Sequence, residues 1–278
     1  MTEHRPQIVR GSRLPTVVGD LVSSDRVVEC ETPRHEAKLR LLCVPYAGGS
    51  AAAFRGWANA LSAEVELWGV QLPGRASRRD EAPLTRMDSL VEVIAAELVT
   101  THEGALSDRP FAIFGHSMGA LVAFELAREL RDRHGLSTSA LLVAGRGAPH
   151  MPDPGPALAC GSEPALVAEL QRLGGVPAEV LGDEVRRARM LRLIRADFAV
   201  CETYAYQSAA PLDCPISVFG GIEDFDWPVE TLSAWREHTT STAQVNTLAG
   251  GHFFIDSARQ AFLEQLVASL EPVVQQPR

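Results

Sequence analysis

Along this chain, short runs rich in apolar residues alternate with longer stretches in which apolar residues recur every three or four positions. The runs at 39–44, 65–71, 111–114, 140–144, 216–219 and 244–248 read as strands, most of them apolar enough to be buried on both faces. Between and after them, 51–61, 87–101, the stretch from Leu121 to a capping Gly135, and 260–270 read as helices. Such alternation specifies an α/β fold with a mostly parallel central sheet and helices on both faces, whose ligands bind at the carboxyl ends of the strands. The rhythm breaks over 147–211, which opens with a proline-rich loop at 149–156 and then offers helices at 163–173 and 183–206 but no strand. A helical insertion between sheet strands reads as a lid over the strand ends. The expected organisation is therefore an N-terminal arm, partly ordered, at 1–38, a core at 39–146 and 212–278, and a helical lid at 147–211.

The second lid helix is apolar on more than one side. Val185, Ala188, Leu191, Ile194 and Phe198 share one stripe, while Met190, Leu193, Val200 and Tyr204 lie off it. Two readings stand: a helix wedged between its neighbour and the body, or one stripe lining an acyl channel. Arg186, Arg187, Arg189, Arg192 and Arg195 punctuate the same helix, as a solvated face or as a docking face for an acidic partner.

Composition adds limits. With 278 residues, 46% hydrophobic and 22% charged, the chain suits one well-buried domain with an insertion. No stretch has the unbroken apolar length of a membrane span, and residues 1–13 are too polar for a signal peptide, so a cytoplasmic protein is expected. A net charge of −9 argues against nucleic acid as a partner. The five cysteines are scattered without a Cys-x-x-Cys pair, which predicts free thiols and neither a disulfide framework nor a zinc site; Cys43 reads as core packing.

The candidate chemistry begins at Gly115-His-Ser-Met-Gly119, between an apolar run and an amphipathic helix. A strand-to-helix turn this sharp needs glycines where two backbones cross, and it lifts the Ser117 hydroxyl clear of the sheet as a nucleophile. The N–H of Met118 then sits at a helix start, where developing negative charge is favoured. A serine needs a base, and His252, after Gly250-Gly251 and the last strand, falls on the same edge. His116 is held in the turn with its side chain aimed away, while His4, His35, His102, His134, His150 and His238 lie in polar or terminal segments and read as solvated. The base needs a carboxylate from the segment after the 216–219 strand, where Asp224 is preferred, Asp226 competes and Glu223 is the outsider. The order Ser, Asp, His is that expected of an α/β-hydrolase. A second oxyanion donor is expected from Ala47, in the loop after the first core strand, where Gly48 and Gly49 let backbone approach a ligand. Tyr46 packs over the site.

Four motifs in order then carry a family resemblance over about 39–270: Leu42-Cys-Val-Pro-Tyr-Ala-Gly-Gly-Ser50; Gln71-Leu-Pro-Gly-Arg75 with Arg78-Arg79; Phe114-Gly-His-Ser-Met-Gly-Ala120; and Gly250-Gly-His-Phe-Phe254. The chain resembles the type II thioesterases, free-standing editing enzymes of polyketide and non-ribosomal peptide synthases. That resemblance implies an α/β-hydrolase fold with a helical lid, a Ser117, Asp224 and His252 triad, and oxyanion donors Ala47 and Met118. It implies as substrate an acyl group thioesterified to the phosphopantetheine arm of an acyl or peptidyl carrier protein in antibiotic-type biosynthesis; the serine mechanism needs no metal or organic cofactor, and a monomer is expected. Two departures stand out. The acid loop of the family usually resembles Gly-Asp-x-Asp-Pro, where this chain has Gly221-Ile-Glu-Asp-Phe-Asp226, and the N-terminal arm is longer than the family core requires. An esterase or lipase acting on oxygen esters would share every catalytic residue. An acyltransferase or macrocyclising release domain is the other alternative, less suited to a chain running only from Met1 to Arg278.

Overall fold

The computed structural model describes residues 27–101, 106–175 and 182–275. Most of the expected N-terminal arm, together with His4 and His102, lies outside the described residues. Seven strands form one sheet in the order β1-β3-β2-β4-β5-β6-β7: β1 (Val28–Glu29), β2 (Leu39–Val44), β3 (Val65–Val70), β4 (Phe111–His116), β5 (Ala140–Ala144), β6 (Ile216–Gly221) and β7 (Ala243–Leu248). Only the short β1 runs antiparallel, against β3; every other pairing is parallel, as the strand and helix alternation requires.

Among the described residues the α-helices are α1 (Met87–Thr101), α2 (Met118–His134), α3 (Glu163–Leu173), α4 (Glu184–Glu202), α5 (Val229–Leu232), α6 (Phe254–Ser257) and α7 (Arg259–Val274). Gly135 ends α2 in the left-handed conformation at φ 67°, and its N–H donates back to the Arg131 carbonyl. Ser162 and Asp183 cap α3 and α4 by accepting the N–H of Ala165 and Arg186.

Because side chains alternate along a strand, each central strand feeds two cores. Leu42, Val44, Ile113, Leu141, Val143 and Val218 pack under α1 and α2 with Ile94, Leu98, Leu121 and Phe124. Leu41, Cys43, Phe114, Leu142 and Phe219 face the opposite way, onto Phe54, Trp57 and the α7 residues Phe262 and Leu266. Cys43 is thus core packing, and all five cysteines are free thiols.

Two elements differ from the sequence reading. In place of one helix at 51–61 there are two 3-10 turns, Ala51–Phe54 and Trp57–Asn59. Arg55 is extended (ψ 135°) and Gly56 left-handed (φ 74°), which breaks the helix while Phe54, Trp57 and Leu61 still turn inward. Within the arm, β1 adds a two-residue edge to the sheet.

Between β5 and β6 the chain leaves the sheet for the excursion that carries α3 and α4. Leu158, Leu166, Leu170, Leu191 and Ile194 form a small core of their own, and Val200 joins the main core. Helix α4 is therefore wedged, and the continuous stripe does not hold: Val185 is 80% exposed and Ala188 is also in solvent.

Candidate active site

The carboxyl ends of β2, β4, β6 and β7 converge on one edge of the sheet. At the end of β4 the chain enters α2 through Ser117, a non-glycine residue at φ 56° and ψ −118°. The flanking glycines are there for space. A Cβ on Gly115 would meet the Gly119 carbonyl oxygen at 2.0 Å, and one on Gly119 would meet the Val44 carbonyl oxygen at 2.3 Å. The Ser117 N–H donates to the Ala144 carbonyl at 2.8 Å, which ties the turn to the end of β5.

His252 Nε2 lies 2.9 Å from Ser117 Oγ, and His252 Nδ1 lies 2.9 Å from Asp224 Oδ2. Both partners of the histidine's second bond are shielded, with side-chain exposures of 8% for His252 and 2% for Asp224. The loops bearing them are held together by backbone: Ile222 N–H donates to the Leu248 carbonyl at 2.9 Å and Glu223 N–H to the Gly250 carbonyl at 3.0 Å. Gly221 permits this approach, since a Cβ there would meet the Gly250 carbonyl oxygen at 2.4 Å. Asp226, the competing acid, turns away to Arg172 of α3 and offers its backbone N–H to Asp224 Oδ1 at 3.2 Å. Glu223 is in solvent.

His116 donates its Nε2–H to the His252 carbonyl at 2.8 Å. Burial lowers its pKa to about 3, so it is a neutral strut under the His252 loop. Tyr46 stands edge-on to both His116 and Phe253, with ring centroids 5.6 and 5.0 Å apart. His238 corrects the expectation of a solvated histidine: it is buried, beside Trp235 and Phe124, and its Nε2 lies 2.8 Å from His150 Nδ1. Packing below the sheet edge, invisible in the local sequence, encloses it.

A cleft of about 360 Å³ opens over Ser117 and His252, within the size range of small-molecule sites. Ala47 and Met118 line it beside the serine, and α3 and α4 supply Leu173, Phe198 and Cys201. Burial pushes the Cys201 thiol up to about 12, so the sulfur is a neutral wall and no nucleophile. Arg146 and Trp227 also line the cleft and were missed by the sequence reading. The guanidinium sits 4.9 Å from the Trp227 ring centroid and 2.8 Å from Asp153. The available signal was position, since Arg146 follows the carboxyl end of β5. Asp197, in the arginine-rich helix, was also passed over; it is 1% exposed and bonds Arg75. Arg78, by contrast, serves the scaffold, buried between Glu81 and Glu97.

Among the described residues no group of histidine, cysteine and acidic side chains could hold a metal ion, and no helix is long and apolar enough to cross a membrane.

Known proteins share the sequence family and the fold. Residues 39–271 match the thioesterase domain family. The gramicidin S biosynthesis protein GrsT of Aneurinibacillus migulanus is 40% identical over 238 residues, covering 86% of this chain and 91% of that protein. Among solved structures, the type II thioesterase BorB from the borrelidin biosynthetic cluster superposes with a TM-score of 0.78 at 38% identity, covering 89% of this chain and 98% of that one. YbtT, a type II thioesterase from the yersiniabactin NRPS/PKS biosynthetic pathway, superposes with a TM-score of 0.79 at 31% identity, covering 90% and 100%.

Proposed function

Because the chain belongs to the thioesterase domain family, and has the α/β-hydrolase fold of its relatives, we propose that it hydrolyses acyl groups from the phosphopantetheine arm of carrier proteins in a polyketide or non-ribosomal peptide pathway. The observation that carries the reading is the hydrogen-bonded series from Ser117 through His252 to Asp224 beneath an open cleft.

In this reading Ser117 is the nucleophile. The Asp224 carboxylate accepts the Nδ1–H of His252, which leaves the Nε2 lone pair facing the serine hydroxyl. As Ser117 Oγ attacks the thioester carbonyl, its proton moves to Nε2 and the imidazolium is stabilised by Asp224. The N–H groups of Ala47 and Met118 hold the tetrahedral oxyanion. Collapse expels the pantetheine thiolate, which takes the proton from Nε2, and leaves an acyl-serine. Water then repeats the sequence: it gives a proton to Nε2, attacks the ester and releases the carboxylic acid and Ser117. No step calls for a metal or an organic cofactor. The excursion carrying α3 and α4 acts as the lid over the bound acyl group.

Replacing Ser117 with alanine tests this directly. The variant keeps the wild-type circular dichroism and releases no free thiol from an acyl-loaded carrier protein; turnover retained above a hundredth of wild type would end the assignment.

A further inference from the structure

The loop that carries Ala47 does not hold itself. Tyr46, Ala47, Gly48 and Gly49 make a turn closed by the Gly49 N–H on the Tyr46 carbonyl at 2.9 Å, with Gly48 at φ 78°, the pattern of a type II turn. Type I and type II turns differ by a flip of the central peptide, here the one joining Ala47 to Gly48, which carries the Gly48 N–H; the Ala47 N–H lies on the preceding peptide and follows the placement of the whole turn. What fixes this peptide is a side chain 149 residues away: Asp197 Oδ2 accepts the Gly48 N–H at 2.6 Å. Flipped, the peptide would present the Ala47 carbonyl oxygen to that carboxylate, two electron-rich oxygens face to face.

Asp197 is held in turn. Arg75 meets it in a bidentate pair, Nη2 to Oδ1 and Nη1 to Oδ2, both at 2.7 Å, and Nη1 also donates to the Gly49 carbonyl at 3.0 Å. Arg75 is 6% exposed and Asp197 1%. Gln71 extends the frame, donating to the Arg75 carbonyl at 3.2 Å and accepting the Ala51 N–H at 3.3 Å. One turn before Asp197 on α4, Ile194 presses on the same place: a Cβ on Gly48 would meet its Cγ1 at 2.8 Å. The turn is thus gripped between the core motif that ends in Arg75 and a helix of the excursion.

We propose that Asp197 and Arg75 are positioning residues for the reaction, fixing the Ala47 turn so that the oxyanion site is complete only while α4 is seated on it. This rests on the functional reading above, in which Ala47 is an oxyanion donor. Its consequence is a link between the excursion and the chemistry: lifting α4 to admit a substrate withdraws the carboxylate from Gly48 and Arg75 together, which frees the turn bearing the Ala47 N–H to shift as a unit, and closure seats it again.

The test is Asp197→Asn. An amide has one oxygen where the carboxylate has two, so in either orientation its NH2 confronts a donor, from Gly48 and Arg75 on one side or from Arg75 on the other. Kinetics are measured on an acetyl-loaded carrier protein, with each preparation normalised to the serine titrated by a fluorophosphonate, so that misfolded enzyme is not counted. Removing an oxyanion donor outright costs about 10² to 10³ in kcat, and a misaimed donor should forfeit about ten- to a hundredfold, with KM within about threefold. Affinity for a trifluoromethyl ketone, whose adduct carries the oxyanion, should fall by the same factor. A variant that strands the Arg75 charge can fail to fold, in which case Arg75→Met with Asp197→Leu removes both charges together with the acceptor for Gly48, and the same split is expected. A kcat per titrated serine within about twofold of wild type, in whichever variant folds, overturns the proposal. The two failures separate: wild-type enzyme without Ser117-dependent thioester hydrolysis would sink the functional reading, whereas an active wild type with an equally active Asp197→Asn would sink only the positioning role.

Discussion

Asp224→Asn changes one atom, and the surrounding bonds dictate how the amide must sit. In the wild type Oδ1 of Asp224 accepts the Asp226 backbone N–H at 3.2 Å, and Oδ2 accepts His252 Nδ1–H at 2.9 Å. A backbone N–H cannot become an acceptor, so the asparagine keeps its oxygen there and turns its NH2 to the histidine. The imidazole must then accept at Nδ1 and carry its proton on Nε2, where it faces Ser117 Oγ at 2.9 Å as a donor. The base is lost without any change of shape. A second loss is the charge that steadies the imidazolium, worth about 4 kcal/mol at roughly 4 Å in an effective dielectric near 20. Wrong tautomer and lost charge together cost about 10⁴ in kcat in the serine protease that serves as the general template, which is about 5.4 kcal/mol of barrier. We expect a comparable fall here. Thiol release from an acyl carrier protein, followed per titrated serine, would measure it. Asp226→Asn is the control: it loses a partly exposed pair to Arg172, worth about 0–1 kcal/mol of stability, and should keep kcat within about threefold. A kcat for Asp224→Asn within tenfold of wild type, or an Asp226→Asn enzyme equally slow, would remove Asp224 from the orienting role.

Two further expectations follow from the same edge of the sheet and the core below it. Gly115→Ala puts a methyl 2.0 Å from the Gly119 carbonyl oxygen, and since both clashing groups are backbone, we expect a loss near the upper end of the usual 1–3 kcal/mol for overpacking, with kcat down about a hundredfold as Ser117 shifts; an unchanged denaturation midpoint would contradict it. Burial lowers the pKa of His116 to about 3 and of His238 to about 4, so below pH 6.5 the unfolded chain binds protons that the folded one does not, and stability falls as the pH drops until the folded histidines themselves titrate. The slope should reach about 1.4 kcal/mol per pH unit for each histidine, and His238→Gln should flatten denaturant-measured stability between pH 6 and 4.5 by one proton; an unaltered slope would mean that His238 is charged in the fold.

Local features were legible in the sequence where their cause is local. The apolar runs placed β2 to β6 within a few residues, because a strand covered on both faces has little choice of composition, while the mixed sequence of β7 suits a partly exposed edge strand; Gly115 and Gly119 announced the turn because close backbone crossing leaves no alternative residue. The stretch at 51–61 misled because Phe54, Trp57 and Leu61 have helical spacing, while the left-handed Gly56 that breaks the helix counts for little in a periodicity. What was least legible was pairing at long range. Asp197 stands in a helix whose arginines dominate the pattern, and its partner Arg75 lies 122 residues earlier, so nothing near either position signals a buried bidentate contact. His238 failed for the same reason, since its enclosure by Phe124, Trp235 and His150 is a property of the packed body. The acid was half legible: the loop could be named from strand order, but only the bond from His252 separates Asp224 from Asp226.

Ser117 occupies a backbone conformation at φ 56° and ψ −118° that side-chain-bearing residues avoid, at a cost of order 1–3 kcal/mol, and that glycine would adopt freely. With Ser117 as the proposed nucleophile, selection for foldedness and selection for turnover pull in opposite directions at this one position. On that reading, a lineage released from its enzymatic duty would relieve backbone strain by drifting to glycine there, and the serine stays for its chemistry against a standing thermodynamic incentive to lose it.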